Sequence, residues 1–279
     1  MTNLINYNFM TKPASHCIDE SDEFYKSCGV SRGNKNGFNV ESLKDGDIIF
    51  VKTDYIYNGT FQKQILPNIK TKFILVTGVS SFSVDEGDGS YLDILNNPHL
   101  IKWFCTNPPS DYNEKIMWLP IGFEEVERDG GDVSVLNYFY ENPLPWAEKE
   151  DKVYIPYHSN TFKDRDSLIR KLSLESFVVA EPSRLSFREY LKQINKYKFV
   201  LSLRGAGWDC HRHYECLLVG STPIMEKGPI MQSFKNNSLP VLEINEINHN
   251  IFGDSYDFSI SKSFLTMGYH FNKINNIKQ

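Results

Sequence analysis

The sequence has no long apolar run and no excess of basic residues. None of its apolar segments approaches the ~20 residues that span a bilayer, and its first residues, MTNLINYNFMTKPASH, lack the basic stretch and apolar core of a secretory signal. We therefore expect a soluble cytoplasmic protein without a membrane span. Its formal net charge of -5 argues against general nucleic-acid binding, because neutralising phosphates needs a dominant basic field.

Cysteine is scarce and irregularly spaced, and no sequence repeat is visible. The absence of a repeat of 20 to 50 residues excludes solenoid and propeller folds. An odd number of cysteines without framework spacing indicates thiols in a reducing compartment rather than a disulfide scaffold. The five residues are Cys17, Cys28, Cys105, Cys210 and Cys216.

The composition of the chain and the pattern of its apolar residues predict a folded α/β protein. Its 279 residues, with 14% aromatic and 23% charged residues, suffice for one large domain or two smaller ones with real cores. In the first half, short apolar runs rich in β-branched residues alternate with polar turns. Such runs predict strands of a buried parallel sheet; they occupy residues 47–56, 72–80 and 116–124.

A second unit of the same kind follows a proline-containing segment. Residues 140–151, YENPLPWAEKED, have no periodic pattern and predict a linker. Strands and helices then alternate again, which predicts two Rossmann-like domains, residues 1–148 and 149–279, facing across a cleft. The strands are predicted at 152–159, near 176–181 and at 198–203, and the helices at 164–173 and 186–197, the second capped by Ser186.

Glycine, arginine, histidine and cysteine residues are concentrated in one stretch, residues 201–224, LSLRGAGWDCHRHYECLLVGSTPI. Gly205 and Gly207 permit positive φ after the strand, and Asp209 can cap a helix that stops at Gly220. A strand, a glycine turn and a helix N-terminus together make an anion site, because free N–H groups and the helix dipole point at the loop. A turn that serves packing alone remains an alternative.

Charged side chains concentrate at this helix entry. Arg204 and Arg212 flank the turn, and guanidinium groups suit phosphate. Glu215 lies one helical turn after His211 and can accept hydrogen bonds from two sugar hydroxyls. A nucleotide's diphosphate and ribose fit this pattern. Another interpretation is a metal site, formed by residues that recur every three positions, Cys210, His213 and Cys216.

The stretch KFVLSLRGAGWDCHRHYECLLVGSTPIM resembles the signature of exostosin-like glycosyltransferases, and the likeness extends over roughly residues 70–245. In size and in lacking a membrane anchor, the chain resembles the small members of this family from large algal viruses. One of those viral enzymes takes part in building the N-glycan of the capsid. The resemblance implies a two-domain GT-B fold, an acceptor-binding N-terminal domain, a UDP-sugar donor in the C-terminal domain and no obligatory metal. UDP-xylose is the expected donor and a glycan the expected acceptor.

The resemblance also implies roles for individual residues. Arg204 and Arg212 would hold the diphosphate and Glu215 the ribose, while the segment around Ser183 would meet the uracil. Arg165 is either part of this site or a solvated helix residue. The remaining expected donor residues are Ser159, Asn160, Ser202, Gly205, Asp209, His211 and Ser221.

Transfer from an α-linked UDP-sugar to a β-linked product inverts the anomeric carbon and needs a base on the acceptor hydroxyl. We expect Asp85, on a loop that leaves a strand at its carboxyl end, with Asp54 as its rival. Trp103 and Asn107 are expected either at the acceptor site or, for Trp103, in the core. Competing functions are a UDP-sugar-binding module without turnover and a zinc-dependent hydrolase.

Overall fold

The chain folds as two compact units. The computed structural model describes residues 3–6, 9–18, 39–111, 113–158, 162, 165–247, 249–252 and 260–278. The first unit comprises residues 7–121 and 267–279, and the second unit comprises residues 1–6 and 122–266. Each unit contains a five-stranded parallel sheet, which confirms the prediction of an α/β protein with two parallel sheets.

The first unit has its strands in sequential order, β1-β2-β3-β4-β5, and all neighbouring pairs are parallel. All six residues of β3 are buried, as expected for a continuous apolar run at the centre of a parallel sheet. The strands are β1 His16–Ile18, β2 Asp47–Lys52, β3 Phe73–Gly78, β4 Leu100–Cys105 and β5 Ile116–Trp118, and the first helices are α1 Thr53–Tyr57 and α2 Tyr91–Leu95.

The strands of this unit are shorter than the sequence predicted. The predicted strand 47–56 ends at Lys52, because Thr53 already begins α1. The predicted strand 116–124 ends at Trp118, two residues before Pro120, which cannot donate to a ladder. Gly122 follows with a φ of 72°, a left-handed conformation that favours glycine.

The second unit has the strand order β10-β9-β8-β6-β7, and its neighbouring strands are parallel. The chain passes from β6 to β7 on one side and then to β8 on the other, so the direction of winding reverses between β6 and β8. The strands are β6 Glu150–Ile155, β7 Val178–Ala180, β8 Tyr197–Leu201, β9 Thr222–Met225 and β10 Leu242–Glu243. The helices are α3 Val133–Glu141, α4 Arg165–Leu172, α5 Phe187–Ile194, α6 His211–Leu218 and α7 Pro229–Asn236.

The predicted linker at 140–151 is wrong, and the units divide at residues 121/122 rather than at 148/149. Helix α3 packs against α6 and so belongs to the second unit. The backbone N–H of Leu144 donates to Asn195 Oδ1 at 2.9 Å. The buried ammonium of Lys149 donates to the backbone oxygens of Asn195 and Val219 at 2.6 and 2.9 Å. These hydrogen bonds tie the segment to the second sheet's helices.

The end of the chain returns to the first unit, since residues 267–279 group with residues 7–121. Helix α8, Met267–Asn275, packs near Phe9, whose ring lies 5.9 Å from those of His270 and Phe271. Across the described ranges, no helix combines the length and apolar character that a bilayer crossing requires.

Candidate functional site

A pocket of about 430 Å³ lies at the carboxyl ends of β6, β7 and β8. Every described residue that lines it belongs to the second unit. Its walls come from Tyr157 after β6, the segment 181–187 after β7, and Leu203 and Gly205 after β8. This edge includes the point where the winding direction reverses between β6 and β8, the usual place for ligands in open parallel sheets.

The N-terminus of helix α6 lies at this pocket, one residue later than predicted. It begins at His211 with Cys210 as the N-cap residue, and no side chain caps it. The prediction that Asp209 caps it is wrong, because the Asp209 carboxylate is buried and accepts a hydrogen bond of 2.7 Å from the Tyr214 hydroxyl. The expected stop is confirmed, since Gly220 follows the helix with a φ of 73°.

The glycine turn before α6 differs from the prediction. Positive φ falls on other glycines of the described chain and not on Gly205 or Gly207. Gly205 instead lines the pocket, where the lack of a side chain lets the backbone approach a ligand closely.

Arg212 lies in the first turn of α6 and lines the pocket. Its Nε donates to the Tyr190 hydroxyl at 3.4 Å, its Nη1 contacts His158 Nε2 at 2.6 Å, and its Nη2 donates to the Tyr157 carbonyl at 3.1 Å. A guanidinium has five N–H donors, and these contacts use three of them. Among the residues that the structure describes, these are its contacts, and two donors remain to bind an anion.

Glu215 lines the same pocket and is only 7% exposed. Its Oε2 accepts a hydrogen bond of 2.7 Å from the Tyr190 hydroxyl. Burial raises the pKa of Glu215 above its usual range, while the Tyr190 hydrogen bond and the charge of Arg212 act in the opposite direction. The second carboxylate oxygen suits a hydroxyl-bearing ligand.

Arg204 does not line the pocket, although the sequence predicted it there. Its guanidinium carbon lies 4.1 Å from the centre of the Trp208 ring and 4.7 Å from that of Phe162, which is cation–π stacking. Its Nη2 donates to the Ala206 carbonyl at 3.3 Å. The contacts of this side chain are therefore with Trp208 and Ala206 in the loop before α6 and with Phe162.

Arg165 occupies the pocket wall instead. It is only 5% exposed, which excludes the alternative of a solvated helix residue. Its Nη1 donates to the Arg204 carbonyl at 3.0 Å. The cations brought together in the lining are Arg165, Arg212 and, on an exposed side chain, Arg184.

His211 also lines the pocket. Its Nδ1 donates to the Gly122 carbonyl at 2.8 Å, and its Nε2 lies 3.7 Å from Glu124 Oε1. Sequence spacing alone missed Glu124, because about 90 residues of chain separate it from α6.

Of the predicted serines, Ser183 lines the pocket and two others do not. Ser202 is buried, with its Oγ 2.7 Å from His213 Nδ1. The Ser221 hydroxyl donates to the carbonyls of Ile194 and Tyr197. The two other expected residues, Ser159 and Asn160, lie outside the described residues.

Of the residues of the metal interpretation, Cys210 and His213 are in contact, and Cys216 is fully buried. Cys210 Sγ is 3.3 Å from His213 Nε2, and burial raises the pKa of Cys210 to about 12. Cys216 is fully buried, and burial raises its pKa well above the ordinary value. In the part of the chain that the structure describes, no group of three or more His, Cys, Asp or Glu side chains is arranged to hold a metal ion.

Both candidate bases lie at the carboxyl edge of the first unit's sheet. The exposed Asp85 follows β3 and accepts hydrogen bonds from the Ser83 hydroxyl and, at 3.4 Å, from the Ser110 N–H. Asp54 lies in the first turn of α1, with Oδ1 3.8 Å from Lys52 Nζ.

The other two residues singled out in this unit are buried. Trp103 is a core residue whose Nε1 donates to Thr77 Oγ1 at 2.9 Å. Asn107 is also buried, and its side-chain N–H donates to the Ser80 carbonyl at 3.4 Å.

Several pocket residues were not predicted as ligand contacts. Phe187 and Tyr190 lie on α5, and both line the pocket. Tyr154 and Glu181 also line it and are joined by a hydrogen bond of 2.8 Å. A usable signal for Glu181 was its place directly after β7, at the ligand-binding edge of the sheet.

No model of a protein family matches the chain, and no curated protein shows significant similarity to it. The function therefore rests on the chemistry of the site.

Proposed function

We propose that the protein is an inverting glycosyltransferase of the exostosin-like type with a GT-B fold. It takes a sugar from a UDP-sugar bound in the pocket of the second unit and transfers it to a glycan acceptor. The observation that carries the proposal is the pairing of Arg165 and Arg212 with Glu215 in one pocket, beside the N-terminus of α6. A ligand that suits this wall has a strongly anionic part and a polyhydroxylated part.

The diphosphate is the anionic part. Two guanidinium groups and the positive end of α6 attract it, and the two donors of Arg212 left over from its protein contacts are available to it. A volume of about 430 Å³ lies within the ordinary range of small-molecule sites. The same positive charges stabilise the diphosphate as it departs.

The nucleoside is the polyhydroxylated part. Glu215 accepts hydrogen bonds from the ribose hydroxyls, and its Tyr190 contact holds the carboxylate in place. The segment after β7 supplies Ser183, Leu185 and Phe187, which combine polar groups with an aromatic surface for a pyrimidine base.

The chemical step is a single in-line displacement. A carboxylate of the first unit, Asp85 or Asp54, takes the proton of the acceptor hydroxyl. The acceptor oxygen then bonds to the anomeric carbon as the bond from that carbon to the diphosphate oxygen breaks, with UDP as the leaving group. Both candidates follow strands at the edge of the sheet where ligands bind.

The sugar, the biological role and the location are further parts of the proposal. We propose xylose as the transferred sugar, a viral capsid N-glycan as the product and the host cytoplasm as the location. The support is the sequence resemblance and the reduced thiols of Cys105, Cys210 and Cys216.

Incubating the purified protein with a panel of UDP-sugars and glycan acceptors tests this function. We expect transfer with inversion, fastest from UDP-xylose, and we expect one of Asp85→Asn and Asp54→Asn to lose transfer by about 100-fold or more while UDP binding is unchanged. UDP binding without transfer from any donor would instead favour a sugar-nucleotide-binding module. Absence of UDP binding would contradict the proposal altogether.

A further inference from the structure

His158 lies between a backbone carbonyl and the guanidinium of Arg212. It follows β6 by three residues and is partly buried. One ring nitrogen, Nδ1, lies 2.5 Å from the Pro156 carbonyl oxygen, and the other, Nε2, lies 2.6 Å from Arg212 Nη1. It was not among the residues expected from the sequence.

These two contacts determine the state of the imidazole ring. A carbonyl oxygen only accepts hydrogen bonds, so Nδ1 carries the proton and donates it. A guanidinium nitrogen only donates, so Nε2 is unprotonated and accepts. The ring is therefore the neutral Nδ1–H tautomer, and protonation of Nε2 would place two cations in contact.

The surroundings favour this neutral form. Burial, together with the positive charges of Arg212 on α6 and Arg165 on α4, lowers the pKa of His158 to about 3. Other titratable groups of the pocket lining include Tyr190 on α5, Glu215 on α6, and Tyr154 with Glu181 at the ends of β6 and β7. The Tyr190 hydroxyl accepts a hydrogen bond from Arg212 Nε and donates one to Glu215 Oε2.

We infer that His158 is a positioning residue for anion binding: as a neutral hydrogen-bond acceptor it fixes the guanidinium of Arg212 so that two of its donors face the diphosphate. This inference rests on the proposed function of the pocket. The Tyr157 carbonyl and the Tyr190 hydroxyl hold the other ends of the same guanidinium, so the group is held at all three nitrogens. A preorganised donor binds an anion more tightly because little side-chain freedom is lost on binding.

Two substitutions separate positioning from simple packing. In His158→Gln, the side-chain amide can still offer an oxygen to Arg212 and a donor to the protein. In His158→Phe, the ring fills the space without any acceptor. The ligands are UDP and inorganic pyrophosphate, measured by calorimetric titration, and uridine, measured by ligand-observed NMR, with thermal unfolding as the check on folding.

For His158→Phe we expect a loss of affinity of about 10- to 100-fold for UDP and for pyrophosphate, because a charge-assisted hydrogen bond is lost and Arg212 is released. Uridine affinity stays within about threefold, because the nucleoside lacks the charged group, and His158→Gln recovers most of the loss. Equal UDP affinity of wild type and His158→Phe would overturn the inference while leaving the proposed function standing. An equal loss for uridine would show a general packing role and would also overturn it. If wild type binds neither UDP nor pyrophosphate, the inference and the proposed function both fail.

Discussion

At the scale of single residues, the two arginines that flank the glycine turn have different environments. Arg212 lines the pocket, whereas the Arg204 guanidinium stacks on Trp208 and Phe162. Arg165, some 40 residues earlier in the chain, lines the pocket instead and reaches the backbone of Arg204. The positive charge at the site therefore comes from α4, from α6 and, through the exposed Arg184, from the segment after β7.

This difference gives a paired prediction. We expect Arg165→Met to weaken UDP binding by about tenfold or more, because a cation in the pocket wall is lost. Arg204→Met, the matched control, should change UDP affinity by less than about threefold, because its side chain is stacked outside the lining. Calorimetric titration of both variants checks this, and a larger effect at Arg204 than at Arg165 would restore the assignment made from sequence.

The sequence predicted some of these residues and not others for a physical reason. Arg212, Glu215 and His211 lie on one helix, where spacing alone determines which side chains share a face. The direction of the Arg204 side chain depends on aromatic rings at residues 162 and 208, and the approach of Glu124 to His211 depends on the fold of the whole unit. Spacing along the chain contains neither piece of information.

At the scale of elements, Lys149 connects the ends of two helices that carry pocket residues. Its ammonium group donates to Asn195 at the end of α5 and to Val219 at the end of α6. Cations at helix C-termini are stabilised by the dipole and satisfy the last carbonyls. This single side chain thereby holds together the helices that present Tyr190 and Arg212.

We expect Lys149→Met to destabilise the fold by about 2 to 4 kcal/mol, since the buried Val219 carbonyl and the partly buried Asn195 carbonyl lose their donor. Lys192→Met is the matched control, because the Lys192 side chain is 63% exposed and its ion pair with Glu189 is a surface pair. Its effect should stay within about 0.5 kcal/mol. Urea unfolding of both variants measures the difference, and equal midpoints would show that Lys149 has no structural role.

The starts and ends of the helices and strands show which boundaries the local sequence pattern predicts correctly. The cap of α5 at Ser186 and the stop of α6 at Gly220 are confirmed, because each depends on a local backbone rule. The start of α6 and the end of β2 were wrong by a few residues, because Asp209 is taken by Tyr214 and Thr53 begins a helix. Tertiary contacts decide such positions.

At the scale of the molecule, the alternation of apolar runs and helical segments was enough to predict two parallel sheets. The division between the units was not predicted, because segment 140–151 looks like a linker in composition although Leu144 and Lys149 bond to the second unit. A composition rule cannot detect hydrogen bonds made with residues 50 to 70 positions later in the chain.

Because α8 belongs to the first unit, we expect its deletion to change hydrogen exchange in the first unit without changing UDP affinity. Deleting residues 267–279 removes the helix that packs near Phe9, so we expect faster hydrogen exchange in β2, β3 and β4 of the first unit. UDP affinity should stay within about threefold, because the described lining runs from Glu124 to Glu215 in the second unit. Loss of UDP binding in the truncated chain would show that the pocket depends on the first unit.

The most direct test of the central claim, that the pocket beside α6 binds a nucleoside diphosphate, is a calorimetric titration of UDP into wild type and Arg212→Met. We predict saturable binding to wild type with one site per chain, and a loss of about 100-fold in the variant, with thermal unfolding used to show that the variant is folded at the temperature of the titration. Equal affinity of the two proteins for UDP, or no binding to wild type, would contradict the account.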